Sequence, residues 1–207
     1  AKTDLTCEMV KELPELQGHM GKVYAQLNGE SEEVATAIAD QYLPSPGQQN
    51  YPETFTGSIL SLADKMDNIV SSFSLGRVPS GSTDPFGLRR QAQGIISILL
   101  NRGWYFNLRE WIGWNIVILK EQGFVNPDPS VIDEVVQFII SRFRYFLLET
   151  GMNYSIVNAV LNVSYDDIYD IFLRISALQK LFDNKRKFFE EIITGFCRAN
   201  NITKNYS

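Results

Sequence analysis

Residues 56–73 read TGSILSLADKMDNIVSSF. Ile59, Leu62, Met66, Ile69, Val70 and Phe73 recur mostly at spacings of three and four, which lines them along one face of an α-helix. A half-buried strand would alternate with a period of two, and this stretch does not. An apolar stripe of this length needs other helices or a sheet to cover it, so the neighbouring segments decide the fold class.

Working outward, every long periodic segment is helical. C-terminal to the stripe, Leu88, Ile95, Ile96, Leu99 and Leu100 mark a long apolar helix stopped at Asn101-Arg102-Gly103. Residues 108–121 form another, with Trp111, Ile112, Val117 and Leu119 inward, stopped by Gln122-Gly123. Asp128-Pro129 opens a helix with Ile132, Val135, Val136, Ile139, Phe143, Phe146 and Leu147 on one face, and Gly151 closes it. Further helices are expected over 155–161, 166–181 and 183–199. N-terminal to the stripe, Leu5, Met9 and Val10 share a face, and 15–27 reads as a helix ended by Asn28-Gly29. Ser31 opens a third helix with Val34, Ile38 and Tyr42 on one side, ended by Pro44 and Pro46 before a polar loop over 44–55. The chain is therefore read as all-α. A loop-rich stretch near 75–84 suggests a division into 1–78 and 79–207.

Composition narrows the function classes. The chain has 207 residues, ordinary apolar content and a net charge of −5, so any anion-binding surface must be a local patch. There is no apolar run long enough for a membrane span and no signal-peptide pattern. Two cysteines, Cys7 and Cys197, and one histidine, His19, make no zinc site; reduced thiols are expected. His19 reads as a surface or helix-end residue. The chain begins with Ala1 and already reads as mid-fold, as a piece of a longer protein would.

Residues 79–90, PSGSTDPFGLRR, carry the densest local signal. Gly81 suits a left-handed turn, Asp84 an N-cap and Pro85 the first helical position, which puts Arg89 and Arg90 one turn into a helix. Residues 180–207 hold Lys180, Lys185, Arg186, Lys187, Arg198 and Lys204 against Asp183, Glu190 and Glu191. That local excess of base could grip phosphates, or it could be a solvated face with pairs such as Arg186–Glu190 and Lys187–Glu191. Asp64 and Asp67 lie three apart around Lys65, a spacing that could hold a cation and more commonly marks a solvated face. Gly18, Gly21 and Lys22 lack the spacing of a phosphate loop, and the glycines read as points of close helix approach. The serines near Gly81 have no His–Asp pair to activate them.

Several phrases together resemble one family. Residues 2–25, KTDLTCEMVKELPELQGHMGKVYA, are similar to the pattern K-x-D-L-x-T-E-M-V-x-E-F-P-E-L-Q-G-x-M-G of the β subunit of bacterial-type glycyl-tRNA synthetase. Residues 34–44, VATAIADQYLP, resemble its V-A-x-A-I-x-E-H-Y-L-P, and residues 62–70, LADKMDNIV, its L-A-D-K-L-D-T-L-V. PSGSTDPFGLRR resembles P-T-G-S-x-D-P-F-A-L-R-R, and Asn200-Asn201-Ile202 a phrase near the end of the family's helical region.

The resemblance implies an HD-like helical domain over 1–78 followed by a helical connector or body over 79–207, preceding an anticodon-binding domain. It implies a non-catalytic part of a glycine–tRNA ligase, a cytoplasmic or organellar enzyme, that contacts tRNA and positions it for glycylation. ATP and Mg belong to the separate α subunit, in an assembly of two α and two β chains, with no cofactor on this chain and no DNA or membrane partner. RNA-contact candidates are Arg89, Arg90, Lys185, Arg186, Lys187 and Lys22. Asp4 and Asp64 stand where an HD phosphohydrolase has metal ligands, but Thr3 replaces the pair's histidine, so no metal is expected. The family's E-H-Y is Asp40-Gln41-Tyr42 here. Two other roles stay open: an architectural subunit-contact module, and a metal-dependent HD phosphohydrolase.

Overall fold

The computed structural model describes residues 1–45, 50–123, 128–163 and 166–204, without the Lys204 side chain. The expected stop at Pro46 and the charge of Lys204 lie outside the described residues. Short 3-10 turns span Thr3–Thr6 and Pro14–Leu16. The helices are α1 (Glu8–Glu12), α2 (His19–Leu27), α3 (Glu32–Asp40), α4 (Phe55–Ser74), α5 (Leu88–Arg102), α6 (Leu108–Glu121), α7 (Val131–Glu149), α8 (Tyr154–Leu161), α9 (Ile168–Asn184) and α10 (Arg186–Lys204). Among the described residues there is no strand, only an isolated bridge between Ser80 and Thr83. None of their helices is long and apolar enough to cross a membrane.

The apolar stripe of residues 56–73 is the axis of the fold. Leu62, Met66, Ile69, Val70 and Phe73 of α4 are buried, and α4 packs against α3, α5, α6 and α7. α5 sends Leu88, Ile95, Ile96 and Leu99 into the same core, and α7 sends Val135, Val136, Ile139, Phe143 and Leu147. α9 closes it with Ile168, Ile171 and Ile175. This core crosses residue 78: α4 shares it with α5 to α9 while also packing on α3 of the N-terminal helices.

Several local expectations are corrected. The helix expected over 15–27 breaks at Gly18, whose φ of 76° ends the Pro14–Leu16 turn before α2 begins. Leu5 and Met9 stay exposed beside a buried Val10, because Cys7 is extended and separates the first turn from α1. α3 buries Ala35, Thr36, Ala37 and Asp40 rather than Val34, since small side chains let it sit between α2 and α4. In α6 it is Ile116, not Val117, that faces the core. The break between α9 and α10 falls at Lys185, later than expected.

Asp84 caps α5, but from further away than the sequence suggests. Its Oδ1 accepts from the Leu88 amide at 2.8 Å and its Oδ2 from the Arg89 amide at 3.0 Å. Pro85 and Phe86 lie in a turn, and the residue before the helix is Gly87, with φ 64°. The conformation favours glycine there, while a Cβ would displace only the flexible end of Arg90, whose guanidinium lies 2.8 Å away. Likewise α7 starts at Val131, after Asp128 has accepted the Ser130 amide at 2.8 Å. Asn107, Asn153 and Asp167 cap α6, α8 and α9 directly.

Replacing Asp84 by alanine removes the acceptor for two helix-start amides. The expected cost is about 1 kcal/mol, a fall in Tm of about 2–4 °C in a chain of this size. Thermal unfolding followed by circular dichroism measures it.

Candidate nucleic-acid interface

Charged side chains fasten the segment between α3 and α4. Lys65 lies on the buried side of α4, 7% exposed. Its Nζ donates to the Gln41 carbonyl at 3.1 Å, the Leu43 carbonyl at 2.8 Å and Ser61 Oγ at 2.7 Å. Burial pulls its pKa down to about 8 against the opposing charge of Asp64. Gly94 of α5 passes directly over the lysine stem, where a Cβ would come within 2.8 Å of Cε. Asp40 Oδ2 accepts from the Glu53 and Thr54 amides and from Thr54 Oγ1, at 3.0, 3.1 and 3.1 Å. From the end of α5, Arg102 Nη2 donates to the carbonyls of Pro52, Glu53 and Thr54, and its Nε donates to Ser58 Oγ.

Beside this brace, α4 and the start of α5 form the walls of a polar cleft of about 290 Å³. Asp64, Asn68 and Lys65 come from α4, Arg90 and Gln91 from α5, and Gln41 and Tyr42 from the end of α3. Lys2 reaches in to pair with Asp64 at 2.5 Å. Phe86, half exposed at the rim, has the Arg77 guanidinium over its ring at 5.6 Å. Burial and the neighbouring charge of Asp64 raise the pKa of Asp67 on the next turn.

The two arginines differ. Arg89 is half-buried and donates from Nη2 to the Gly81 carbonyl at 2.7 Å, holding the turn that Gly81 makes with φ 52°. Arg90 is exposed on the cleft and makes no ion pair among the described residues. Lys22 is committed elsewhere, to Glu32 at 2.8 Å and Thr36 Oγ1 at 2.9 Å, and hydrogen bonding to Glu32 raises its pKa. Lys185, at the break before α10, and Arg186 and Lys187 at its start are all exposed. Arg186 pairs with Glu190 at 3.1 Å and lies over the Phe182 ring at 4.9 Å.

The HD-like positions are filled by structural bonds. Asp4 is 3% exposed; its Oδ2 accepts from the Gly18 amide at 2.7 Å and its Oδ1 from the Tyr42 hydroxyl at 2.9 Å. Burial and this bond push the Tyr42 pKa far up. Asp64 is paired with Lys2. Among the described residues no group of three His, Cys, Asp or Glu is placed to hold a metal. The donor set therefore does not fit an HD metal site. His19, at the start of α2, is exposed, and Cys7 and Cys197 are unpaired thiols. Gly18 and Gly21 do mark close approaches: a Cβ on either would come within 2.7 Å of Tyr42 or Ile38.

The profile of the family described as glycyl-tRNA synthetase beta subunit matches residues 1–162. The chain belongs to this family. It is 44% identical over 204 residues to the glycine–tRNA ligase beta subunit of Halothermothrix orenii, covering 98% of this chain and 29% of that one. It is 43% identical over 206 residues to the beta subunit of Desulforamulus reducens, covering 99% and 29%. With Shouchella clausii the figures are 40% over 205 residues, again covering 99% and 29%. The chain thus spans under a third of the length of these relatives.

The sequence reading pointed to Arg90 and passed over Gln41, Gln91 and Asn68. Amide side chains leave no mark in a charge pattern, and only the packing of α3 and α5 on α4 brings these three to one cleft.

Lys65 has a consequence for pH. Its folded value of about 8 lies below its ordinary 10.5, so between those limits the unfolded chain binds more protons. The burial penalty is full below pH 8 and is relieved as pH rises towards 10.5. Lys65→Met has no such penalty to relieve, but it leaves the Gln41 carbonyl without its donor. We expect this variant to be about 2 kcal/mol less stable at pH 7. The deficit should grow from pH 8 to 10, as measured by urea unfolding of both proteins across that range.

Proposed function

We propose that this chain is a non-catalytic, tRNA-contacting part of a glycine–tRNA ligase β subunit. In this reading it positions tRNA for glycylation on a separate α subunit, where glycine, ATP and magnesium are handled, within a cytoplasmic assembly of α and β chains. Family membership supports the enzyme class. The observation that carries the contact itself is Arg90, an exposed guanidinium with no ion-pair partner among the described residues, on the rim of a polar cleft. A guanidinium can offer paired donors to a phosphate. Arg89 supports it indirectly, by holding the 79–84 turn against the start of α5.

A second reading, protein contact, is favoured at one place. On α10, Phe188, Ile193, Phe196 and Ile202 are exposed large apolar side chains, and the described residues of α10 pack mainly against α9. Such a face suits another protein surface better than a phosphate backbone. Lys185 and Lys187 would then border that contact rather than grip RNA. A phosphohydrolase has no support, since Asp4 and Asp64 are occupied by donors of the protein itself.

The test is Arg90→Glu in the assembled enzyme. Reversing one phosphate-contacting charge should raise the KM for tRNA about tenfold. It should also lower the slope of log affinity against log salt by about one. Unchanged aminoacylation kinetics and an unchanged slope would remove this face from the interface.

A further inference from the structure

One stretch of this acidic chain is nearly free of acids. The chain carries 24 Asp and Glu in 207 residues, yet residues 68–109 hold a single one, Asp84, against Arg77, Arg89, Arg90, Arg102 and Arg109. Asp84 directs both carboxylate oxygens to the Leu88 and Arg89 amides. The structure also sorts the arginines. Arg102 is held by the carbonyls of Pro52, Glu53 and Thr54, Arg109 by Asp133 and Asp166, and Arg89 by the Gly81 carbonyl. Arg77 and Arg90 are left. Both are exposed, and neither side chain makes an ion pair or a hydrogen bond among the described residues.

These two arginines come from different helices and meet at Phe86. Arg77 follows the end of α4, where Gly76, with φ 70°, turns the chain. The Gly76 amide donates to the Phe73 carbonyl at 2.9 Å and the Arg77 amide to the Ser72 carbonyl at 2.8 Å, the paired bonds of a Schellman helix stop. Arg77 is thus fixed at its backbone, and its guanidinium lies over the Phe86 ring, 5.6 Å from the centroid. A cation–π contact orients a guanidinium without neutralising it. Arg90 lies against the next residue, its Nη2 2.8 Å from where a Cβ of Gly87 would be. Phe86 itself is held by its carbonyl, which accepts from Gln91 Nε2 at 3.1 Å. Two like charges kept beside the same two residues repel one another, and anions placed on them relieve that repulsion.

We propose that Arg77 is a second phosphate contact of this chain, acting with Arg90 as a clamp on neighbouring phosphates of one RNA strand. This rests on the RNA-contact reading above and adds to it a residue from the end of α4. An RNA strand presents negative charges in series, which two separate donor forks can match. A single acidic side chain on a protein surface would match one of them and leave the other charge unopposed.

The experiment measures the affinity of a tRNA transcript across a salt series, using the full-length protein in its assembled enzyme. Wild type is compared with Arg77→Gln, Arg77→Lys, Arg90→Gln and the two glutamine substitutions together. Arg77→Gln should weaken binding about fivefold near physiological salt and lower the slope of log affinity against log salt by about one. The combined variant should lower it by about two. Arg77→Lys keeps the charge and should keep the slope. A purely structural role for Arg77 would not move the slope. The Arg77 side chain is exposed and makes no hydrogen bond among the described residues, so these variants should fold; a thermal melt checks this. If Arg77→Gln leaves the slope unchanged while Arg90→Gln lowers it, the inference is overturned and the RNA-contact reading survives. If neither lowers it, both fail. If Arg77→Gln loosens the assembly of α and β chains and leaves the slope alone, Arg77 meets a protein carboxylate, and the inference is overturned as well.

Discussion

The ammonium of Lys65 is the point on which the two halves of the structure meet. It sits on the core-facing side of α4, beneath Gly94 of α5, and donates to two carbonyls of the chain leaving α3. Segment 41–45 and 50–54 has no regular helix or strand in which to spend its backbone groups. Buried loop backbone must find partners elsewhere. Lys65, Asp40 and Arg102 supply them, from three different helices, as charge-assisted bonds roughly twice as strong as neutral ones. The N-terminal helices are thereby anchored by polar bonds to a body that is otherwise held by apolar burial.

That division of labour explains where the polar cleft lies. It opens beside the brace, between two helices whose other faces are fixed in the core by residues such as Met66 and Ile95. Rigid helices on both sides, and a turn locked by Asp84 and Arg89, hold Arg90 and Gln91 in place without needing a ligand. Asp84 also closes off the start of α5 as an anion site, because its carboxylate already accepts from the Leu88 and Arg89 amides. Any phosphate here must be recognised by the side chain of Arg90 rather than by the helix end.

The apolar pattern made much of this architecture legible. The stripes on 56–73 and 132–147 are buried except for Ile59, which is exposed, and Ile132 and Phe146, which are half-buried, and 108–121 is a helix with those bounds. Periodicity works there because burial of many apolar groups outweighs local preference. It failed where one or two groups decide. Asp84 looked like an N-cap, yet Gly87 takes that place, since the turn over Pro85 and Phe86 lets the carboxylate reach amides further along. Lys65 looked like part of an acidic, solvated face between Asp64 and Asp67, although it follows Leu62 by three and so shares its inward face. Besides Ser61 Oγ, its partners are main-chain carbonyls, which carry no residue identity and so leave no trace in sequence. Gln41 was visible only as a departure from a family phrase, and its unpartnered oxygen depends on two carbonyls brought to it by folding.

The central claim is that the face built by α4 and the start of α5 touches RNA. Ultraviolet crosslinking of unmodified tRNA to the full-length protein in its assembled enzyme, mapped by peptide mass spectrometry, tests it most directly. The account predicts a crosslinked peptide containing residues 86–91, with the half-exposed Phe86 ring as the adduct site. Crosslinks confined to other parts of the enzyme, with the 86–91 peptide recovered unmodified in full, would contradict it.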